Sequence, residues 1–196
     1  MPRTSVVKGV QNRLRRLLAV VASVLTLPAL TVVVGLSISG AAALILSAHL
    51  PGEFKYAASL SGFLNPSPLF MHQTIRVAML DAGGYNMDNM WGAPWDGAWQ
   101  RNDPIQQVSR IVANGTRLWI YCAPGGSAPF DEGADPHQAF NADSLESMAI
   151  KSNKDIQEAG GNNATFVFPT SGNQGWPYWG RQLNSLKPDL IATLNG

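Results

Sequence analysis

The stretch VVVGLSISGAAALIL, residues 32–46, contains the transition on which the fold of this chain depends. Its β-branched run ends at a glycine, which is typical of a buried strand. The Ala- and Leu-rich residues that follow predict a helix, and Pro51 is expected to close it. The stretch therefore predicts a strand that turns directly into a helix.

Small residues surround Ser37 at this turn. Gly35 lies two positions before it, and Ser39 and Gly40 follow it. A turn that presents a nucleophilic serine needs such residues, because larger side chains would clash in the strained backbone. The backbone amide of Ile38 would lie at the helix N-terminus, where it can stabilise an oxyanion. Since the same spacing also occurs in turns without a catalytic role, Ser37 is a candidate nucleophile at this point.

Apolar segments alternate with helical ones along the rest of the chain. Strands are predicted near residues 31–36, 55–60, 116–122 and 164–169, and a long helix is predicted within residues 137–161. This alternation predicts an α/β fold, with a parallel sheet and helices on both faces. In such sheets the chemistry lies at the carboxyl ends of the strands.

The N-terminal segment has the charge order of an export signal. Five cationic residues and no acidic one lie in the first sixteen positions, and residues 17–34 then run for 18 positions without a charge. We predict that residues 1–31 form a signal-like or anchoring segment and that residues 32–196 form the domain. A buried helix and strand are the alternative. The predicted location is secreted or cell envelope, with membrane contact only through this segment.

The remaining composition limits the classes of partner. Beyond residue 16 the chain carries nine basic and thirteen acidic residues, so it has no nucleic-acid patch. The single cysteine, Cys122, excludes an internal disulfide and is expected to be a small buried residue. No metal-ligand spacing and no cofactor motif is present. Trp91, Trp95 and Trp99 are expected to pack in a loop, with a sugar or lipid platform as the alternative.

Several long and distinctive stretches resemble the antigen 85 family, over about 165 of the 196 residues. The stretches are VVGLSISG, YAASLSGFLNPS, DAGGYNMDNMWG, AWQRNDP, VANGTRLWIYC, FVFP, WPYWGRQLNSLKPDL and LNG. The family comprises secreted mycobacterial mycolyltransferases with an α/β-hydrolase fold and a Ser-His-Glu triad. The resemblance implies transfer of a mycolyl chain from trehalose mycolates to trehalose or arabinogalactan. Acyl transfer to diacylglycerol is also attributed to the family.

The resemblance assigns the functional positions of the family to particular residues. The nucleophile falls on Ser37, the oxyanion amide on Ile38, and a tryptophan of the sugar site on Trp176. Gln174 occupies the place of the catalytic histidine, and Ala142 occupies the place of the acid. Glutamine neither accepts a proton at neutral pH nor donates one as an acid. We therefore expect little or no activity.

Three histidines and two acids are candidates for replacing the missing groups. Each histidine is predicted to lie on the surface, with recruitment as a base as the alternative. Each acid is expected to be a solvated charge on a helix. These residues are His49, His72, His137, Asp143 and Glu146.

The resemblance covers the C-terminal part of the family fold, so the front strands are expected to be missing. The strand near residues 31–36 should then be an unprotected sheet edge. Two alternatives stay open: a non-catalytic secreted protein that binds sugar, lipid or a fibronectin-type matrix protein, and the product of a decayed or truncated gene. The loop SGNQGW, residues 171–176, resembles a non-catalytic secreted paralogue more than the enzymes.

Overall fold

The elements below belong to a computed structural model, which describes residues 25–27, 30–124, 163–173 and 175–196. The strands are β1 (Leu25–Leu27), β2 (Leu30–Leu36), β3 (Tyr56–Leu60), β4 (Arg117–Tyr121) and β5 (Ala164–Val167). The helices are α1 (Ile38–His49), α2 (Leu69–Gly83), α3 (Asp88–Trp91), α4 (Gly97–Arg101), α5 (Val108–Ala113) and α6 (Trp176–Asn195). The long helix predicted within residues 137–161 lies outside the described residues.

The strands form one sheet in the order β1-β2-β3-β4-β5. Strands β2 to β5 are parallel, which confirms the predicted α/β class. The register places Leu36 beside Leu60, Leu60 beside Tyr121, and Tyr121 beside Val167. Because these residues end their strands, the chain leaves the sheet at one common edge, which we call the carboxyl edge. Ser37 follows Leu36 at this edge.

The expectation that β2 forms an unprotected edge is wrong. Strand β1 pairs with it in the antiparallel direction, with Leu25 opposite Val32 and Leu27 opposite Leu30. This pairing gives backbone groups of the first part of β2 a hydrogen-bonded neighbour. Strand β1 falls within residues 1–31, whose assignment as an export segment stays a prediction.

Helices cover both faces of the sheet, and successive residues of each strand point to opposite faces. One cluster joins α1 and α5 to the first face and contains Val33, Ala41, Ala43, Leu44, Ala48, Ala57, Ile111, Leu118 and Ile120. A second cluster joins α6 to the other face and contains Val32, Tyr56, Ala58, Leu60, Trp119, Tyr121, Tyr178 and Leu186. The result is a layered arrangement with the sheet between helices. Within the described ranges, none of the helices has the length and apolar character to cross a bilayer.

A third apolar cluster lies at the carboxyl edge, and we call it the edge cluster. Several of its members follow a strand directly or almost directly, which fixes its place beside Ser37. Helix α2 contributes the buried side chains of Met71 and Ile75 to it. The other members are Phe63, Met87, Trp99 and Cys122, with Ile38, Met79, Trp91 and Phe168 packed against them.

An ionic network binds α6 to the sheet at the end of the strands opposite the carboxyl edge. The Arg117 guanidinium donates to both carboxylate oxygens of Asp189, with the shortest distance 2.9 Å, and the Tyr56 hydroxyl donates to the same carboxylate at 2.9 Å. Arg117 also donates to Thr165 Oγ1. Burial and the neighbouring carboxylate raise the pKa of Tyr56, so the phenol remains a donor. Because Tyr56 and Arg117 begin their strands, α6 is anchored at the edge away from Ser37.

The pair Asp103-Pro104 predicts a helix cap at Asp103, but no helix starts at Pro104. Helix α5 begins only at Val108. The buried Asp103 carboxylate instead accepts hydrogen bonds from the Ser67 amide at 3.0 Å, the Ser67 hydroxyl and the Ile105 amide at 2.9 Å. It therefore joins the loop that follows β3 to the loop that precedes α5.

Candidate functional site

Ser37 lies between β2 and α1 in a strained backbone conformation, with φ 52° and ψ −133°. Residues other than glycine rarely adopt such a positive φ, and strain of this kind costs about 1–3 kcal/mol. The Ser37 amide donates to the Leu60 carbonyl at 2.8 Å, and the Ser37 carbonyl accepts from the Gly40 amide at 2.8 Å. Hydrogen bonds to β3 and to the first turn of α1 therefore hold the turn. This is the sharp strand-to-helix turn that the sequence predicts.

The turn requires glycine at two positions, because a Cβ atom would have no space there. A Cβ atom on Gly35 would overlap the Ser39 carbonyl and lie 2.7 Å from the Gly40 nitrogen. A Cβ atom on Gly40 would lie 2.9 Å from the Gly62 Cα. Real Cβ atoms essentially never approach other atoms within 3.0 Å. The first glycine lets α1 fold back over the strand, and the second lets α1 approach the loop that follows β3.

Ile38 is the first residue of α1. Its amide belongs to the first four amides of a helix, which have no partner within the helix and carry the positive end of the helix dipole. The position therefore suits an oxyanion formed at Ser37, as the sequence predicts. The Ile38 side chain packs against the edge cluster, which links the turn to α2.

Ser61 is a second serine at the carboxyl edge that the sequence reasoning missed. It has φ 59°, is fully buried, and donates its amide to the Tyr121 carbonyl at 2.7 Å. Its Oγ accepts a hydrogen bond from Trp179 Nε1 at 3.4 Å. The sequence contains a signal for it, because Ser61-Gly62 follows a buried strand as the small residues around Ser37 do.

Trp176 begins α6 and is 71% exposed. Its ring meets that of Trp179 edge to face, with 5.4 Å between ring centroids. Since Trp179 also contacts Ser61, the two tryptophans lie near the carboxyl edge. The sequence assigns Trp176 to a sugar site, and its exposure leaves its ring accessible.

The two positions predicted to have lost their triad groups are Gln174 and Ala142, and both lie outside the described residues. Ala142 falls between β4 and β5, and Gln174 falls between β5 and α6. With Ser37 after β2, the predicted nucleophile, acid and histidine positions follow each other in the order found in α/β-hydrolases. His137, Asp143 and Glu146 are also outside the described residues.

The two described histidines occupy different environments. His49 is exposed at the far end of α1, where its Nε2 lies 3.1 Å from the Arg101 carbonyl and its Nδ1 accepts from Arg110 at 3.3 Å. A helix of 12 residues is about 18 Å long, so His49 is remote from Ser37. The predicted surface position of His72 is wrong, since it is only 3% exposed. It lies on the inner face of α2, and its ring packs on Trp99.

The sequence also predicts the surroundings of Cys122 and of the three tryptophans. Cys122 is fully buried, as predicted. The aromatic segment forms the short helices α3 and α4 in addition to loops. Trp99 is buried with Trp91 edge-on against it at 4.9 Å, whereas Trp95 is 88% exposed. Among the residues that the structure describes, no cluster of three or more His, Cys, Asp or Glu side chains offers a metal site.

Sequence comparison relates the chain to known esterases and acyltransferases. A family model described as "Putative esterase" matches residues 8–190. Diacylglycerol acyltransferase/mycolyltransferase Ag85C of Mycobacterium leprae is 48% identical over 174 residues, which are 87% of this chain and 51% of that protein. The protein of the same name from Mycobacterium avium is 49% identical over 171 residues, which are 85% of this chain and 47% of that protein. The chain thus spans about half the length of these curated relatives.

Structure comparison gives a related result. The crystal structure of Mycobacterium tuberculosis MPT51 (FbpC1) superposes with a TM-score of 0.65 at 34% sequence identity. The match covers 82% of this chain and 58% of that chain. Sequence and fold therefore indicate the same group of proteins.

Proposed function

Because the chain belongs to the antigen 85 family and has an α/β-hydrolase-type parallel sheet, we propose that its carboxyl edge binds a long-chain acyl ester of a sugar, of the trehalose mycolate type. In a reaction at this edge, Ser37 Oγ attacks the ester carbonyl and the Ile38 amide stabilises the resulting oxyanion. The bond between the acyl carbon and the sugar oxygen breaks, and the sugar leaves as an alcohol with the proton from Ser37 Oγ, so the acyl group stays on Ser37. A hydroxyl of a second trehalose or of arabinogalactan then takes the acyl group, and its proton returns to Ser37 Oγ.

The observation that carries this proposal is the backbone of Ser37. A non-glycine residue held at φ 52° costs energy, and such strain is common at active sites. The strain also leaves Ser37 at the start of α1, beside the amide that would stabilise the oxyanion. A serine in an unstrained loop would not need Gly35 or Gly40 around it.

We propose further that turnover is weak, because the residues at the predicted histidine and acid positions cannot act as a base. Gln174 stands at the predicted histidine position and Ala142 at the predicted acid position. An unassisted serine hydroxyl is a poor nucleophile. Loss of the base of a serine triad costs on the order of 10⁶ in turnover.

Acylation of Ser37 by an activated ester or a fluorophosphonate tests this proposal. In the unmodified chain we expect Ser37 to fail to label at neutral pH, as it must after Ser37→Ala. Gln174→His should restore little by itself, because the new histidine would lack its orienting acid. Combined with Ala142→Glu, it should raise the acylation rate by about 10²–10⁴-fold.

Ser61→Ala is the matched control, since Ser61 is the other serine with a positive φ at this edge. It should leave Ser37 labelling unchanged. Stoichiometric labelling of the unmodified chain would show that another base serves Ser37. A double variant that reacts no faster than Gln174→His would show that position 142 is not the acid position.

A second candidate function is binding without turnover, for which the exposed Trp176 ring is the relevant observation. A tryptophan held edge-on by a second tryptophan offers an ordered face for a sugar ring or an acyl chain. Titration with trehalose and with a trehalose ester should change the tryptophan fluorescence. Trp176→Ala should abolish the change and Trp95→Ala, the exposed control, should retain it. A fibronectin-type matrix protein is the alternative ligand in the same titration, and an equal effect of both variants would exclude Trp176 as the binding residue.

We propose that the chain is exported to the cell envelope or secreted, with residues 1–31 as the directing segment. The basic start and the uncharged residues 17–34 support this. A reporter fused after Leu30 should leave the cytoplasm. Its complete retention would contradict the proposal.

A further inference from the structure

His72 is a buried titratable side chain that the proposed reaction does not use. It is 3% exposed, and its ring centroid lies 3.8 Å from that of Trp99. Neither Nδ1 nor Nε2 has a hydrogen-bond partner in the described part of the chain. The imidazole is therefore packed as an apolar ring between α2 and α4, although it can take a proton.

Protonation at this place is unfavourable. A buried charge without a hydrogen-bonded counter-ion costs far more than a neutral imidazole. Burial, and to a smaller extent the Arg76 guanidinium one turn along α2, lower the pKa of His72 below its ordinary value. Because the packed form binds the proton less tightly than an open form, a fall in pH shifts the equilibrium towards the open form.

The charged groups around His72 do not offset this cost. Arg76 on α2 pairs with Asp88 on α3 at 2.8 Å, so that carboxylate is already engaged. Asp96 before α4 accepts from the Ala98 amide at 2.8 Å. Arg101 at the end of α4 is exposed, and its guanidinium lies 3.9 Å from the Asp96 carboxylate. Trp99, a member of the edge cluster, packs against the imidazole and offers no counter-charge.

Helix α2 is packed on one side, which allows it to move as a unit. Met71, His72 and Ile75 form its buried face. Its other side is exposed, and the large apolar side chains there are Leu69, Phe70, Val77 and Leu80. Release of α2 therefore requires that its inner face leaves the edge cluster and that the Arg76–Asp88 ion pair with α3 opens.

We propose that His72 makes the packing of α2 on the edge cluster depend on protonation: α2 is seated while the imidazole is neutral and is released when it takes a proton. Since Ile38 packs against the same cluster, release of α2 uncovers the side of the turn that carries Ser37. Neutral His72 stabilises the seated α2 fully when the pH is above the ordinary histidine pKa of about 6.5. This stabilisation is lost as the pH falls towards the lowered pKa of His72 in the folded protein. The pH-dependent packing of α2 does not depend on whether Ser37 reacts.

Hydrogen exchange of the full chain between pH 7.5 and 5, corrected for the intrinsic pH dependence of exchange, tests the proposal. The opening constant measured for residues 69–83 should rise by up to tenfold per pH unit below about 6.5, the limit for uptake of one proton. Peptides of β3 and β4 should keep their protection over this range. The fluorescence of Trp99 should change with the same midpoint, because the imidazole lies on its ring.

His72→Gln and His72→Leu are two variants that cannot titrate, and in both the opening constant of residues 69–83 should be independent of pH. His49→Gln is the matched control, because His49 is exposed, and it should retain the wild-type pH dependence. A flat profile in the wild type overturns the proposal, and so does an unchanged slope in the His72 variants. Loss of protection in β3 and β4 together with α2 also overturns it, since the effect would then be on the whole fold.

Discussion

Gly35→Ala tests whether the turn at Ser37 is fixed by space rather than by conformational preference. Gly35 does not have a positive φ, so alanine meets no backbone penalty there. Its Cβ atom would overlap the Ser39 carbonyl, and the first turn of α1 would have to move by about 1 Å to clear it. Overpacking costs typically 1–3 kcal/mol, and backbone yields less easily than a side chain. We expect a loss of about 3 kcal/mol from the free energy of unfolding, or about 6–12 °C in Tm.

Gly180→Ala is the matched control for this experiment, since the chemical change is the same. Gly180 lies inside α6, and a Cβ atom there has no neighbour within 4 Å. Alanine should stabilise the helix by about 0.5–1 kcal/mol. Urea denaturation followed by far-ultraviolet circular dichroism measures both variants. A Gly35→Ala protein within about 0.5 kcal/mol of the wild type would refute the spatial argument.

Three further substitutions test other contacts. Asp189→Ala leaves Arg117 and Tyr56 without their shared partner, and we expect urea denaturation to show a loss of about 2–3 kcal/mol in the free energy of unfolding. If the double variant Asp189→Ala/Arg117→Ala loses no more than Asp189→Ala alone, the two groups act as a unit. Ser59→Ala removes a buried hydroxyl without a hydrogen-bond partner in the described residues, so calorimetry should show a gain of about 1 kcal/mol, and a loss would reveal a partner for that oxygen. Asp103→Ala removes the acceptor that joins two loops and should cost about 3 kcal/mol; a neutral effect would mean that the loops hold without it.

The strand-to-helix turn at Ser37 could be predicted from sequence because every determinant is local. The β-branched run, the glycines and the Ala-rich helix all lie within residues 32–46. The four parallel strands were predicted for the same reason, since continuous apolar runs bounded by turn residues identify them. Their order in the sheet follows the general tendency of consecutive strands to lie next to each other.

The residues that sequence reasoning placed wrongly depend on contacts between distant segments. Nothing in the pattern near His72 shows that Trp99 lies over its ring, 27 positions later in the chain. Asp103 has the residue type and position of a helix cap, but the local pattern does not show that Ser67 from another loop also donates to its carboxylate. The pairing of β1 with β2 was missed, because an apolar run has the same composition in a signal, an anchor or a buried strand.

The agreement between chain order and strand order has a consequence for synthesis on the ribosome. Strands β1 and β2 emerge first, and each later strand finds the neighbour with which it pairs already made. Helix α6 is the last of the described elements to leave the exit tunnel. Until then the face of the nascent sheet that carries Tyr56 and Trp119 lacks its cover, so it is the surface that a chaperone would hold during translation.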